Sequence, residues 1–130
     1  MFAVRQKLQV PPKRKGLTRV WFAFSHSLSG MQIAAREPAV RLELAAAAVL
    51  LPAAFWVGKS PVEQVLLLAS VVAVLVVEVL NTAIEAAIDR VGAEYHPLSK
   101  AAKDLGSAAV LLAIGMACAT WGVIGFSHGA

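Results

Sequence analysis

The stretch Leu105 to Phe126, LGSAAVLLAIGMACATWGVIGF, holds 22 residues and no charge. An α-helix rises about 1.5 Å per residue, so about 20 apolar residues cross a hydrocarbon core ~30 Å thick. Gly106, Ser107, Ala108 and Gly115 add small side chains that let neighbouring helices approach closely. This segment therefore reads as a membrane span. A second apolar run extends from Gln64 to Val77 and continues through Glu78 to Ile84, and a third covers Leu44 to Val57, interrupted by Pro52 and bracketed by Arg41, Glu43 and Lys59.

The whole chain agrees with this reading. Of 130 residues, 58% are apolar and only 15% are charged, with a mean hydropathy of +0.70. A soluble domain averages about 45–50% apolar and about 25% charged residues. A globule of this size has too much surface to hide such a composition from water. A soluble monomer, a disordered chain and a disulfide scaffold are excluded, the last because Cys118 is the one cysteine. The expected fold is all-α: an integral membrane protein with three transmembrane helices and an N-terminal amphipathic helix. The expected boundaries are a basic tail over 1–15, then a single membrane domain over 16–130. Within it a surface helix covers about 17–37, and spans cover about 42–58, 63–88 and 104–126.

The amphipathic helix is read from Leu17, Val20, Trp21, Phe24, Leu28, Met31 and Ala35, which recur every three or four residues. The basic tail before it lacks the apolar core and cleavage site of a signal peptide. Residues 1–41 carry eight Lys and Arg, against Lys59 alone in the first loop and Arg90, Lys100 and Lys103 in the second. The positive-inside tendency then puts the N-terminus and second loop in the cytoplasm, and the first loop and C-terminus outside. The net charge of +4 is accounted for by topology and anionic lipid, and nucleic acid is not expected as a partner.

The segment Glu78-Val-Leu-Asn81-Thr-Ala-Ile-Glu85-Ala-Ala-Ile-Asp89 carries the chemistry. At about 100° per residue, Glu78, Asn81, Glu85 and Asp89 share an arc of about 80°. A carboxylate inside a span costs about 2.5–3.5 kcal/mol on insertion scales, so it is a functional candidate by default. The bland alternative makes Glu78 a helix-packing residue and Glu85 and Asp89 solvated helix-end charges; it leaves four polar groups on one stripe without a common cause. Beyond the stripe, Glu94, Tyr95, His96, Lys103 and Asp104 gather at the same membrane face. Carboxylates and a lysine together suit a phosphate–Mg²⁺ site, because Mg²⁺ is held by one or two carboxylates plus phosphate oxygens and a lysine offsets phosphoryl charge. No Walker A, G-x-G-x-x-G, H-E-x-x-H, C-x-x-C or G-x-S-x-G motif is present.

The run Glu78 to Ala109, EVLNTAIEAAIDRVGAEYHPLSKAAKDLGSAA, closely resembles the bacterial diacylglycerol kinase family, which also contains undecaprenol kinases. The likeness rests on E-x-x-N-x-x-x-E followed by E-Y-H-x-L-x-x-x-A-K-D. It extends more weakly through Gly16–Arg19 and Arg36–Glu43, and covers about residues 16–126. The resemblance implies a homotrimer in the bacterial inner membrane that transfers the γ-phosphate of ATP to a lipid hydroxyl near the cytoplasmic face, with active sites between subunits. It implies Glu78 as the general base and Glu37 and Glu85 as carboxylates holding Mg²⁺ on ATP. Arg19, His26, Glu37, Glu85, Glu94, Tyr95, His96, Lys103 and Asp104 then match nucleotide-binding positions. Glu78, Asn81, Ser107, Ala39, Val40, Arg41, Leu42 and Glu43 match the lipid side. Some positions depart from the pattern: His26 stands where relatives often carry a tyrosine, Ala101 replaces a common arginine, and the stretch between Gly30 and Glu37 is one residue shorter.

Gly106-Ser107 and the Glu37–Glu43 motif point to diacylglycerol as substrate, whereas His96-Pro97-Leu98 resembles undecaprenol kinases, the alternative with the same fold. A different class, a proton or ion translocator, would use Glu78 but has no need of Lys103-Asp104 or Glu94-Tyr95-His96.

Overall fold

A computed structural model describes residues 16–128. Among them are four α-helices and no strand: α1 (Leu17–Ala34), α2 (Pro38–Val57), α3 (Pro61–Val91) and α4 (Pro97–Ser127). The three long helices each open on proline. Proline suits a first helical position, because its missing N–H is one that no intrahelical carbonyl would accept and its φ is already helical. Ser60 caps α3 through a capping box: its hydroxyl accepts from the Glu63 N–H at 3.3 Å, while the Glu63 carboxylate accepts from Ser60 N at 3.3 Å and Lys59 N at 2.7 Å. His96 caps α4, its Nδ1 accepting from Leu98 N at 3.2 Å.

All three long helices are apolar and long enough to span a bilayer, and the chain is a membrane protein. At about 1.5 Å per residue, α2 matches a ~30 Å core while α3 and α4, with 31 residues each, overshoot it by several turns. The helices are longer than hydropathy alone indicates. Pro52 does not end α2, which runs unbroken from Pro38. The loop expected between the last two spans shrinks to a short turn, because α4 starts at Pro97 and its first turns, still polar, contain Lys100, Lys103 and Asp104. Hydropathy sees only the lipid-buried part of a helix, whereas backbone hydrogen bonding continues into the polar layer.

The chain divides into two units, one ending at Gly30 and one beginning at Met31. The first holds most of α1. There Ser25, Ser27 and Ser29 donate their hydroxyls back to the carbonyls of Phe22, Ala23 and Ser25 at 2.8–3.0 Å, which satisfies them without an outside partner. Leu17, Val20, Trp21, Phe24 and Leu28 are exposed. The basic tail 1–15 lies outside the described residues.

In the second unit α3 is central and packs on both α2 and α4. One end is closed by Ala54, Leu67 and Ile124, with Val57, Leu68 and Trp121 around them. Above this cluster Gln64 Nε2 donates to the Gly58 carbonyl at 3.1 Å, and His128 Nε2 lies 3.0 Å from Glu63 Oε2. At the other end Lys103 Nζ, on α4, meets Asp89 Oδ1, on α3, at 2.6 Å. Most large apolar side chains of the three helices remain exposed, among them Phe55, Trp56, Leu111, Leu112, Met116 and Phe126. A face of that kind is stable only against lipid or other helices.

Candidate active site

The acidic stripe lies on α3. Glu78 and Asn81 are buried, 6% and 8% exposed, and Glu85 is half-buried one turn further on. Asn81 follows Glu78 by three residues, so the two buried side chains share one face of α3. Asn81 Oδ1 is also buried and has no hydrogen-bond partner.

The stripe forms one wall of a cavity of about 420 Å³, lined by Glu37, Pro38, Ala39, Glu78, Asn81, Thr82, Glu85, Ser107 and Val110. Three elements meet there. Glu37 is the N-cap of α2, but its side chain makes no capping bond, which leaves its carboxylate to the cavity. Ser107 comes from α4, immediately after Gly106, where α4 lies against Asn81. The structure thus assembles six of the expected site residues: Glu37, Ala39, Glu78, Asn81, Glu85 and Ser107.

Three carboxylates line this cavity and no basic side chain does. Carboxylates this close repel one another and favour a bound cation. Hard oxygen donors suit Mg²⁺. Among the described residues no group of three or more His, Cys, Asp or Glu is placed to hold a metal by itself. The donor set fits an ion held by two carboxylates and completed by phosphate oxygens, the usual manner of Mg²⁺.

The other expected residues lie elsewhere. Glu94, Tyr95 and His96 are exposed in the turn between α3 and α4, and His96 is engaged in capping. Lys103 pairs with Asp89, and Asp104 pairs with Lys100 one helical turn away. Val40 is core, 1% exposed, and Arg41 is exposed. Leu42 and Glu43 line a second, almost wholly apolar groove with Val71, Ile114 and Trp121. Arg19 and His26 are carried by α1 in the first unit. Sequence reasoning missed Pro38, Thr82 and Val110. Thr82 was within reach, since it follows Glu78 by four residues, one helical turn; Pro38 and Val110 carry no chemical signal.

Residues 25–125 match the family profile described as prokaryotic diacylglycerol kinase. The chain belongs to that family. It is 46% identical over 114 residues to the diacylglycerol kinase of Escherichia coli strain K12, covering 87% of this chain and 93% of that protein. It is also 46% identical over 110 residues to the diacylglycerol kinase of Pseudomonas aeruginosa, covering 84% and 89%. Identity to the Haemophilus influenzae diacylglycerol kinase is 40% over 115 residues, covering 88% and 98%. The resemblance read from Glu78–Ala109 is therefore to the right family, and the chain is an enzyme, a lipid kinase of that family.

Proposed function

We propose that this enzyme uses ATP to phosphorylate diacylglycerol to phosphatidic acid at the cytoplasmic face of the bacterial inner membrane, as a homotrimer with a cytoplasmic N-terminus. The observation that carries the reading is the cavity in which Glu37, Glu78, Asn81, Glu85 and Ser107 converge, supported by relatives that are named diacylglycerol kinases. In this reading Glu78 is the catalytic base. The lipid hydroxyl attacks the γ-phosphorus, its proton passes to the Glu78 carboxylate, and the bond from the γ-phosphorus to the bridging oxygen breaks to release ADP. Glu85 lies about 10 Å along the helix from Glu78 towards the water, so Glu37 and Glu85 face the nucleotide side and Glu78 the lipid side. Glu37 and Glu85 hold Mg²⁺, which neutralises phosphate charge when bound.

Lys103, Asp104, Glu94, Tyr95, His96, Arg19 and His26 bind the nucleotide, Lys103 exchanging Asp89 for phosphate. Ser107 and Ala39–Glu43 bind the lipid. The trimer is supported by the cavity being open on one side and by the broad apolar face of α4; a single chain supplies too little wall to exclude water. Residues 16–130 act as one membrane kinase domain.

The test is direct. Purified protein in micelles with Mg-ATP is offered diacylglycerol and undecaprenol separately, and phospholipid product is measured. Phosphatidic acid is the expected product. Phosphorylation of undecaprenol alone would overturn the choice of lipid, and failure with both would overturn the reading.

A further inference from the structure

Gly106 is buried in α4. A Cβ built on it would collide with Asn81 Oδ1 and lie 3.3 Å from Asn81 Cγ and 3.9 Å from its Cβ. The three atoms nearest to that Cβ all belong to the Asn81 side chain, so the space a side chain at 106 would fill is taken first by the Asn81 amide. That amide oxygen is buried and without a partner, and the amide stands beside Glu78, three residues before it on the same helix face. An orphaned buried carbonyl is costly, and a free amide would turn to relieve it. It stays where it is because the gap at Gly106 accepts the oxygen.

We infer that Gly106 is a positioning residue: the missing side chain on α4 fixes the rotamer of Asn81, and so aims the Asn81 N–H at Glu78 and orients the carboxylate that takes the lipid proton. The inference rests on the reading of Glu78 as the base, and it adds a residue that touches no reacting atom. Serine or alanine at 106 gains helix propensity over glycine, so the helix itself favours replacement. What opposes replacement is the amide across the interface.

Gly106→Ala relieves the collision by swinging the Asn81 amide, since only the far end of a flexible side chain is hit. The fold is kept and the aim is lost. The expected result is a fall in kcat of about 10²-fold, as for a small misplacement of a reacting group, with KM for ATP within about twofold because the nucleotide side is untouched. The decisive comparison is a cycle of Gly106→Ala, Asn81→Ser and the double variant. If the Cβ acts through Asn81, Gly106→Ala costs no further turnover once Asn81→Ser has removed the amide. Thermal midpoints are measured on the same four proteins, so the cycle remains readable if Asn81→Ser leaves no turnover to compare: Gly106→Ala raises the midpoint in the Asn81→Ser background more than in the wild type.

Additive losses of turnover, or equal midpoint shifts in both backgrounds, would overturn the inference, as would wild-type kcat in Gly106→Ala. Failure of the base reading is separately visible, since Glu78→Gln would then retain turnover whatever stands at 106.

Discussion

Glu78 sits in the apolar part of α3 with 6% of its surface exposed, a position that only a function or a compensating partner sustains. Of the polar groups near it on the helix, Asn81 shares its burial. Glu78→Gln keeps the size of the side chain and removes its capacity to accept a proton. The expected outcome is a folded, assembled protein whose kcat falls by roughly 10²–10⁴-fold while KM for ATP is unchanged. Phosphorylation rate and assembly are measured on one preparation; near-normal turnover in intact protein would reduce the stripe to a packing device. Glu37 and Glu85 belong to the other side of the cavity. Each glutamine substitution there removes an anionic oxygen from a hard cation. The Mg²⁺ concentration for half-maximal activity should rise by about tenfold, equivalent to about 1.4 kcal/mol of lost ligation, and excess Mg²⁺ should restore part of the rate. A titration in which either variant follows the wild-type curve would remove that residue from the metal site.

Between elements, the two ends of the helical hairpins are held by different means. At the α2–α3 turn the backbone itself is close: a Cβ on Gly58 would meet Gln64 N and Cγ at 2.9 Å. The capping box of Ser60 and Glu63 fixes the start of α3 beside it. Ser60→Ala is expected to cost about 1 kcal/mol, the usual worth of an N-cap hydroxyl, seen as a lower thermal midpoint with turnover per folded molecule intact. At the opposite end Asp89 and Lys103 meet at 2.6 Å, but their side chains are 67% and 41% exposed. Exposed pairs contribute about 0–1 kcal/mol, so this bridge does not hold α3 and α4 together. Asp89→Asn is therefore expected to shift the unfolding midpoint hardly at all. A marked loss of stability would show that the pair is a structural tie, and would speak against Lys103 leaving it for a phosphate.

For the whole molecule, the uneven basic charge and the three spans make orientation the decisive property. With Cys118 replaced by serine, Lys59→Cys is expected to react with a membrane-impermeant thiol reagent on intact cells, and Glu94→Cys only after permeabilisation. The reverse pattern would move the cavity to the outside, away from ATP. The broad apolar face of α4 needs lipid or another chain against it. The protein in detergent is expected at three times the 13.7 kDa of one chain, and fully active monomer would end the trimer proposal.

Features that depend on a single helix or on the solvent can be read directly along the chain. Leu105–Phe126 declares a span because it is long enough, carries no charge and is mostly apolar. Glu78, Asn81 and Glu85 declare one face because helix geometry repeats every 3.6 residues. Family membership was legible in the same run, where chemistry and periodicity coincide. The helix ends were less legible, since the opening turns of α4 are polar and hydropathy reads them as loop. Which distant residues meet follows from how the helices pack. Glu37 joins Glu78 and Glu85, Gly106 receives the Asn81 amide, and Asp89 takes Lys103, because the register and crossing of α2, α3 and α4 bring them together. That register is set by side chains such as Ala54, Leu67 and Ile124 fitting against one another. Such packing is a property of pairs of surfaces, and no local pattern along the chain encodes it.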